Sequence, residues 1–321
     1  MKVEIMTDTI LVTGGCGYVG SSLVPSLLKH GYNIRVVDTQ WFGSNLTEHN
    51  NLEVIKKDTR EIKMQDLDGI AKIIHLANIA NDPAVDLDQV LSWEVNVLAT
   101  HNLIDLATRQ GNINQFIFAS SGSVYGVKDE ENVTEDLQLV PISAYNKTKM
   151  VAERVIKSYS DRIKVHSVRP ATVCGMSKRM RLDVAVNILT FQALEKGEIS
   201  VFGGDQVRPN IHIEDMVAVY HHFLQNCKTL PSGEYNAGFE NISIMDIARM
   251  VQNIIPCKIK VLVSNDPRSY RQCSDKLLAS GFKPSKSVID AIMDIKNSYA
   301  SGELVDCEHY HTIKTMRGLM T

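Results

Sequence analysis

The sequence predicts an α/β protein built on a doubly wound parallel sheet, with a smaller mixed α/β lobe in its C-terminal part. Three observations support this prediction. Strand and helix patterns alternate through the first half of the 321-residue chain, a glycine-rich turn joins the first strand to the first helix, and the alternation loosens after Gly175. The length fits about two domains or one large α/β unit.

The first half divides into short apolar strands and longer periodic helices. Strands are predicted at residues 10–12, 34–37, 52–55, 73–77, 116–119 and 165–168. Helices are predicted at 23–30, 90–109 and 144–158, and Gly31 supplies the stop signal of the first. Because helices lie between these strands in the sequence, the strands can lie parallel in one sheet with helices on both faces.

The second half has a less regular order of elements. A helix is predicted at 183–196, a strand at 199–202, a helix at 215–225, strands at 234–237 and 258–263, and helices at 244–254 and 288–299. These elements would build most of a smaller lobe. The cleft between two lobes is the usual place for a substrate.

The turn after the first strand has the spacing of a dinucleotide-binding loop. In the segment from Thr13 to Gly20, the glycines at 15, 17 and 20 match Gly-x-Gly-x-x-Gly. Glycine permits the tight turn, close approach of a diphosphate to the backbone and tight helix–strand packing, while the helix N-terminus attracts the phosphate charge. The predicted cofactor contacts in this turn are Gly14, Gly17, Tyr18, Val19 and Gly20.

Two acidic positions bear on the identity of the cofactor. Asp38 ends the second strand, near the spacing expected for a carboxylate that binds the adenosine ribose hydroxyls of NAD and repels the 2′-phosphate of NADP. Asp58 and Thr59 follow the third strand at a position suited to adenine, and a helix N-cap is an equally good interpretation of Asp58. The sequence therefore predicts NAD.

These patterns assign two functions to two parts of the chain. Residues 1–175 together with about 205–230 are predicted to form an NAD-binding domain of the Rossmann type. Residues of about 176–204 and 231–321 are predicted to form the substrate lobe.

A tyrosine, a lysine and a serine form the candidate catalytic group. Tyr145 and Lys149 are four residues apart on a predicted helix and so share one of its faces. An ammonium beside a phenol lowers the phenol pKa, so that Tyr145 can take a proton from a substrate hydroxyl while hydride leaves the same carbon. Ser121 follows a buried strand, at the end of the sheet where ligands bind. The alternative interpretations are that Tyr145 and Lys149 are an exposed pair on a surface helix, and that the serine only caps a turn.

Composition disfavours several classes of function. The formal net charge is −3, so no basic field attracts nucleic acid or an anionic membrane. Acidic residues near the N-terminus and the lack of about 18 consecutive apolar residues predict a cytoplasmic protein. The scattered cysteines are interpreted as free thiols, and Cys307 with His309 and His311 as part of a polar tail rather than a metal site.

Further motifs occur along most of the chain. They are His75-Leu76-Ala77, Glu94-Val95-Asn96-Val97, Pro141-x-Ser143-x-Tyr145-x-x-x-Lys149, Arg169-Pro170 and Ile211-His212-Ile213-Glu214-Asp215. With these, the sequence resembles the extended short-chain dehydrogenase/reductases of the NAD-dependent sugar-nucleotide epimerase/dehydratase family. The resemblance implies a nucleotide-diphosphate sugar as substrate and a homodimer formed through helices 90–109 and 144–158. The alternative interpretation of the apolar residues in these helices is that they only cover the sheet.

The same resemblance implies roles for individual residues. Tyr145 is the catalytic acid/base, Lys149 its pKa partner and a ligand of the nicotinamide ribose, and Ser121 the hydroxyl that orients the sugar oxygen. The cofactor site extends to Leu76, Ala77, Asn96 and Pro170, and the substrate site comprises Ser121, Ser123, Thr172, Arg179, Asn187, Arg208 and Arg268. For Arg179, in a basic cluster with Lys178 and Arg181, a solvated helix start is an equally good interpretation.

Departures from the family pattern narrow the reaction. The 4,6-dehydratases carry an acidic pair after the catalytic hydroxyl residue, where this chain has Gly122 and Ser123, so dehydration is disfavoured. Epimerase-reductases of the fucose-synthase type carry cysteine at the position of Ser123 and prefer NADP, against which Asp38 argues. Oxidation of a sugar C4 hydroxyl remains, followed by release of the 4-keto sugar or by return of hydride to its opposite face.

Other segments bear on the choice between these outcomes. The 4-epimerases usually carry asparagine near the position of Thr172. Residues 169–173, 180–183 and 266–271 resemble bacterial surface-polysaccharide enzymes, including GDP-heptose 4-dehydrogenases. The expected function is therefore NAD-dependent 4-dehydrogenation of a nucleotide sugar. A 4-epimerase is the alternative, and a non-catalytic regulator that binds NAD or a sugar nucleotide is the alternative of another class.

Overall fold

The structure is a computed structural model that describes residues 8–263 and 269–320. Its strands are β1 Thr9–Thr13, β2 Asn33–Asp38, β3 Leu52–Lys56, β4 Ile70–His75, β5 Gln115–Ala119, β6 Lys164–Pro170, β7 Thr172–Cys174, β8 Glu198–Phe202, β9 Val207–His212, β10 Gly233–Ala237, β11 Glu240–Ser243 and β12 Lys258–Leu262. Its α-helices are α1 Gly20–Lys29, α2 Asp82–Val85, α3 Gln89–Trp93, α4 Ala99–Gln110, α5 Ala144–Lys157, α6 Ala185–Lys196, α7 Ile213–Gln225, α8 Ile244–Ile254, α9 Asp275–Ala279, α10 Val288–Ala300 and α11 Thr312–Met320. Among the described residues, no helix has both the length and the apolar character needed to cross a membrane.

Seven strands form a parallel sheet in the order β10-β6-β5-β4-β1-β2-β3. The direction of strand succession reverses between β1 and β4, since β2 and β3 lie on one side and β5 and β6 on the other. In an open sheet of this kind, ligands bind beyond the carboxyl ends of the strands at the reversal. The predicted doubly wound fold is confirmed, and it places the glycine turn after β1 at this point.

Alternate residues of the central strands pack on opposite faces of the sheet. Ile10 and Val12 belong to the core cluster under α1 and α7, whereas Leu11 belongs to the cluster under α4 and α5. All three are fully buried, which explains why β1 reads as a continuous apolar run. The long helix predicted at 90–109 consists of α3, a π-helical turn at Glu94–Leu98, and α4.

The smaller lobe contains a three-stranded sheet in the order β11-β9-β7 and a two-stranded sheet of β12 and β8, with α6, α8 and α10 packed around them. Two strands lie in other sheets than expected. β9 was assigned with residues 205–230 to the Rossmann domain, but it pairs with β7 and β11. β10 was assigned to the substrate lobe, but it pairs in parallel with β6 at the edge of the large sheet. These pairings cross the predicted boundary between the domains, because strand patterns do not encode the partner strand.

Candidate active site

A cleft of about 810 Å³ opens at the carboxyl ends of the central strands and is lined by both lobes. Most predicted site residues line it together: Gly14, Gly17, Tyr18, Val19, Gly20, Asp38, Asp58, Thr59, Leu76, Ala77, Ser121, Ser123, Tyr145, Lys149, Pro170, Thr172, Arg179 and Arg208. Arg268 lies outside the described residues. The fold therefore brings the candidate catalytic group and the glycine turn into one cavity.

The glycine turn is packed too tightly for side chains at two of its positions. Gly14 has a φ of +72°, and a Cβ there would lie 2.6 Å from the backbone nitrogen of Ala77. A Cβ at Gly20 would lie 2.5 Å from the carbonyl oxygen of Gly14. The first turn of α1 thus starts against β1 and β4 and contains no acidic residue. Its exposed N–H groups and positive dipole end fit a dinucleotide diphosphate.

Asp38 connects the end of β2 to the glycine turn. Its Oδ2 accepts the backbone N–H of Cys16 at 2.9 Å, and its Oδ1 accepts that of Gln40 at 2.7 Å. Burial raises the pKa of Asp38, and these two hydrogen bonds oppose the shift. The carboxylate is therefore fixed on the cleft wall, where the ribose of a dinucleotide would meet it.

Asp58 is an N-cap and also lines the cleft, while its contact with adenine stays a prediction. Its Oδ1 accepts the backbone N–H of Arg60 at 2.8 Å and caps the short 3₁₀ turn Thr59–Glu61. It also lines the cleft and forms an ion pair with Arg60 at 2.9 Å. The second oxygen of the Asp58 carboxylate can bind a ligand only when its ion pair with Arg60 breaks.

The candidate catalytic group lies at the start of α5 and the end of β5. Ser143 caps α5 by accepting the N–H of Asn146 at 3.1 Å, which places Tyr145 in the first turn. Burial raises the pKa of Tyr145, while a hydrogen bond with Ser121 and the nearby Arg181 charge oppose that shift. The Oγ atoms of Ser121 and Ser123 are 2.7 Å apart. The phenol and the serine hydroxyl thus face the same point in the cleft.

Lys149 is buried one turn further along α5. Its Nζ donates to the carbonyl oxygen of Ala119 at 2.6 Å and lies 4.8 Å from the centre of the Phe118 ring. Burial lowers the pKa of Lys149 to about 7. Lys149 and Tyr145 line the same cleft, so a lysine whose pKa is lowered in this way can change the charge of the site with little energetic cost.

Two predicted ligands lie behind the cleft wall instead of on its surface. Asn96 accepts the N–H of Ile79 at 2.8 Å and donates to Thr148 Oγ1 at 3.1 Å. Asn187 accepts the N–H of Gly175 at 3.0 Å and donates to the hydroxyl of Tyr18 at 3.0 Å. Both amides are fully enclosed by these bonds and neither lines the cleft. In the structure both amides hold segments of the cleft wall, and their contacts with cofactor or substrate stay predictions.

An ion pair beside Tyr145, between Arg181 and Asp183, was not predicted from the sequence. Arg181 donates to Asp183 from two nitrogens, at 2.9 and 3.0 Å, and Asn81 donates to the same carboxylate at 3.0 Å. These residues come from different segments and meet on the cleft wall. The Arg181-Asp183 spacing alone gave no signal, because short-range opposite charges are common on protein surfaces.

Helix α11 is a second wall of the cleft that the sequence analysis missed. Its residues Thr312, Ile313 and Met316 line the cavity. Met316 is buried in the same apolar cluster against which Tyr145 packs. The segment was interpreted as part of a polar tail, because only one of its faces is apolar over nine residues.

Comparison with known proteins agrees with this arrangement. The model of the NAD-dependent epimerase/dehydratase family matches residues 10–238. The chain belongs to this family. The match spans the glycine turn, the catalytic group and all seven strands of the large sheet apart from the first residue of β1. The predicted family and its NAD-dependent sugar-nucleotide chemistry are thereby confirmed at this level.

Three proteins show how similar this member of the epimerase/dehydratase family is to known relatives in sequence and structure. It is 26% identical over 312 residues to a UDP-glucose 4-epimerase of Lactobacillus helveticus, covering 88% of this chain and 94% of that one. A structure of MoeE5 in complex with UDP-glucuronic acid and NAD has a TM-score of 0.82 and 25% identity, covering 91% and 99%. A UDP-glucuronic acid 4-epimerase from Bacillus cereus, in complex with UDP-glucuronic acid and NAD, has a TM-score of 0.81 and 26% identity, covering 91% and 100%. The predicted cofactor, NAD, agrees with these complexes.

Asp38 should set the preference of the family member for NAD over NADP. We expect the wild type to bind NAD at least roughly 100-fold more tightly, because a fixed carboxylate repels the 2′-phosphate. Asp38→Asn should reduce this ratio by about 10-fold and also weaken NAD binding. Glu53→Gln removes an exposed carboxylate on neighbouring β3 and is the control. Dissociation constants for both dinucleotides measure the ratio, and an unchanged ratio in Asp38→Asn would contradict the assignment.

Proposed function

We propose that this enzyme uses NAD to oxidise the C4 hydroxyl of a nucleotide-diphosphate sugar, a hexose or heptose, and releases the 4-keto sugar. This makes it a net 4-dehydrogenase of surface-polysaccharide sugar biosynthesis. The observation that carries the proposal is the meeting of Ser121, Tyr145 and Lys149 beside the glycine turn in one cleft. These are the residues that alcohol oxidation needs, and no further catalytic group is required.

The residues of the chain divide the work of the step. Ser121 and Tyr145 hold the C4 oxygen, and the Tyr145 phenolate takes its proton. NAD, when bound, supplies the acceptor for the hydride that leaves C4. Lys149 stabilises the phenolate before the step, and the gain of the proton by Tyr145 balances the loss from the sugar. Arg181 adds positive charge near the phenol, which favours the same ionised form.

The residues after Ser121 support oxidation without dehydration. Ser123 lines the cleft, whereas Gly122 does not. A Cβ at Gly122 would lie 3.2 Å from both the side-chain amide of Gln272 and the carbonyl oxygen of Pro170. A carboxylate at position 122 would therefore need a local rearrangement. The acid needed to expel a C6 hydroxyl has no counterpart at these two positions.

A 4-epimerase is the second candidate. The Lactobacillus helveticus relative is named for that activity, and the match covers nearly the whole length of that relative. The same first step would then be followed by return of hydride to the opposite face of the keto sugar. Thr172 lines the cleft where the 4-epimerases usually carry asparagine, and this difference supports the 4-dehydrogenase outcome. A regulator that only binds NAD or the sugar nucleotide is the candidate of another class.

The substrate base and sugar are proposed from resemblance. Segments 169–173 and 180–183 support a GDP-heptose, and Arg208, which lines the cleft, is proposed to hold the nucleotide diphosphate. A guanidinium suits a diphosphate because it donates two parallel hydrogen bonds.

The function is tested by incubating the protein with NAD and a panel of nucleotide sugars that includes GDP-manno-heptose. Mass and retention are measured for each product. Loss of two hydrogens supports the 4-dehydrogenase, and an unchanged mass with a new retention time supports the 4-epimerase. Loss of water would contradict both candidates, and no change across the panel would favour the binding regulator.

We also propose a homodimer through the face formed by α3 and the π-helical turn. Val90 is 72% exposed and Leu98 is 61% exposed. A helix that only covers a sheet has no need of large apolar side chains on its solvent face, so these residues indicate a surface that a partner covers. By contrast, Leu103 and Ile104 are fully buried and only cover the sheet. Light scattering at micromolar concentration should give twice the chain mass of 35.8 kDa. Val90→Glu should shift it to the monomer, and a monomeric wild type would contradict the proposal.

A further inference from the structure

Arg179 is a buried cation at the glycine-turn end of the cleft. Only 4% of the residue is exposed. Its backbone N–H donates to Ser21 Oγ, in the first turn of α1, at 3.3 Å. The guanidinium carbon lies 4.1 Å from the centre of the Phe42 ring. These contacts anchor the loop before α6 to the helix that starts at the glycine turn.

The guanidinium of Arg179 has unused hydrogen-bonding capacity. Nη2 donates to Thr312 Oγ1 at 3.1 Å, but Nε is buried and has no partner among the described residues. Asp183 and Asp38 lie near enough to favour the charge of Arg179, but in the described parts of the chain neither forms an ion pair with it within 4.0 Å, whereas Arg181 is paired with Asp183 at 2.9 Å. Burial lowers the pKa of Arg179 to about 10. A buried cation with an unused donor is costly unless an anion completes it.

The position of Arg179 identifies the anion. The residue lies beside the first turn of α1, where the exposed N–H groups favour a phosphate. The candidate catalytic phenol lies near a different arginine, Arg181, which already forms an ion pair with Asp183. We infer that Arg179 binds the diphosphate of the dinucleotide and not that of the sugar nucleotide. This assignment concerns cofactor binding and does not depend on which sugar is oxidised.

Helix α11 contributes to the same site through Thr312. The Thr312 hydroxyl accepts a hydrogen bond from Arg179 and also bonds to Asp183. It therefore orients the guanidinium and keeps the Asp183 carboxylate on Arg181. Ile313 and Met316, on the same helix, line the cleft. Thr312 is thus a positioning residue, and the docking of α11 is coupled to cofactor binding.

The test compares ligands with and without a diphosphate. Binding of NAD, ADP-ribose and adenosine to full-length protein is measured by calorimetry for the wild type, Arg179→Gln, Arg179→Lys and Thr312→Val. Arg179→Gln should weaken NAD and ADP-ribose by roughly 10- to 100-fold, because a charge-assisted hydrogen bond to a phosphate is lost. Adenosine affinity should not change. Arg179→Lys and Thr312→Val should give smaller losses for the same two ligands.

Lys178→Gln is the matched control. It removes the same charge from the preceding residue, whose side chain is exposed and bonds to Thr47 Oγ1 at 3.0 Å. NAD affinity should change less than about 2-fold in this variant, since surface charges are screened. Unchanged ADP-ribose affinity in Arg179→Gln, or an equal loss for adenosine, would overturn the inference. If Arg179→Gln does not fold, unchanged ADP-ribose affinity in both Arg179→Lys and Thr312→Val overturns it instead.

Discussion

Tyr145→Phe should lower turnover by roughly 10²- to 10⁴-fold, the usual contribution of a positioned acid/base. The substitution removes only the hydroxyl that bonds to Ser121. The ring itself packs against an apolar cluster that includes Ile79 and Met316, and phenylalanine preserves these contacts. Stability and NAD affinity should therefore stay close to the wild-type values.

The measurement for Tyr145→Phe is steady-state turnover with whichever nucleotide sugar the panel identifies, together with the dissociation constant for NAD. Tyr159→Phe is the control, because Tyr159 follows the C-terminal end of α5, bonds to His101 at 3.0 Å and does not line the cleft. Turnover of Tyr145→Phe within a few-fold of wild type would assign the proton transfer to another group. Loss of turnover without loss of cellular function would favour the regulator.

Local patterns were sufficient to predict the central sheet. β1, β4 and β5 are apolar runs because helices cover both faces of the sheet, and the glycine turn marks the end of β1. The sheets to which β9 and β10 belong could not be predicted from the sequence, for a physical reason. Each strand has a local pattern that fits either sheet, and only the pairing with β7 or β6 decides its place.

The candidate site likewise contains residues that local patterns predict and contacts that they do not. Tyr145 and Lys149 were predictable because one helical turn places them together. The bond between Arg179 and Thr312 joins residues 133 positions apart, and no local pattern encodes it. Asn96 and Asn187 show the reverse case. A motif or an expected contact predicted that these two asparagines bind a ligand. In the structure both amides hold backbone and side-chain groups behind the cleft wall.

A buried ion pair behind the active site should be a major determinant of stability. Arg169 on β6 donates to both carboxylate oxygens of Glu153 on α5, at 2.9 and 2.8 Å, and both residues are almost fully buried. Arg169 also donates to the hydroxyl of Tyr125 at 2.7 Å. Glu153 lies one turn beyond Lys149 on the same helix, so the pair fixes the catalytic face of α5 against the sheet.

Glu153→Gln should lower the free energy of unfolding by about 3–5 kcal/mol, because it leaves the Arg169 charge buried without a counter-ion. The double variant Glu153→Met with Arg169→Met should be less destabilised than Glu153→Gln, since an apolar pair carries no uncompensated charge. Urea denaturation measures both. Arg109→Gln, which breaks an exposed pair with Asp105 on α4, is the control and should cost no more than about 0.5 kcal/mol. A double variant as unstable as Glu153→Gln would mean that packing around the pair, and not its charge balance, holds α5 in place.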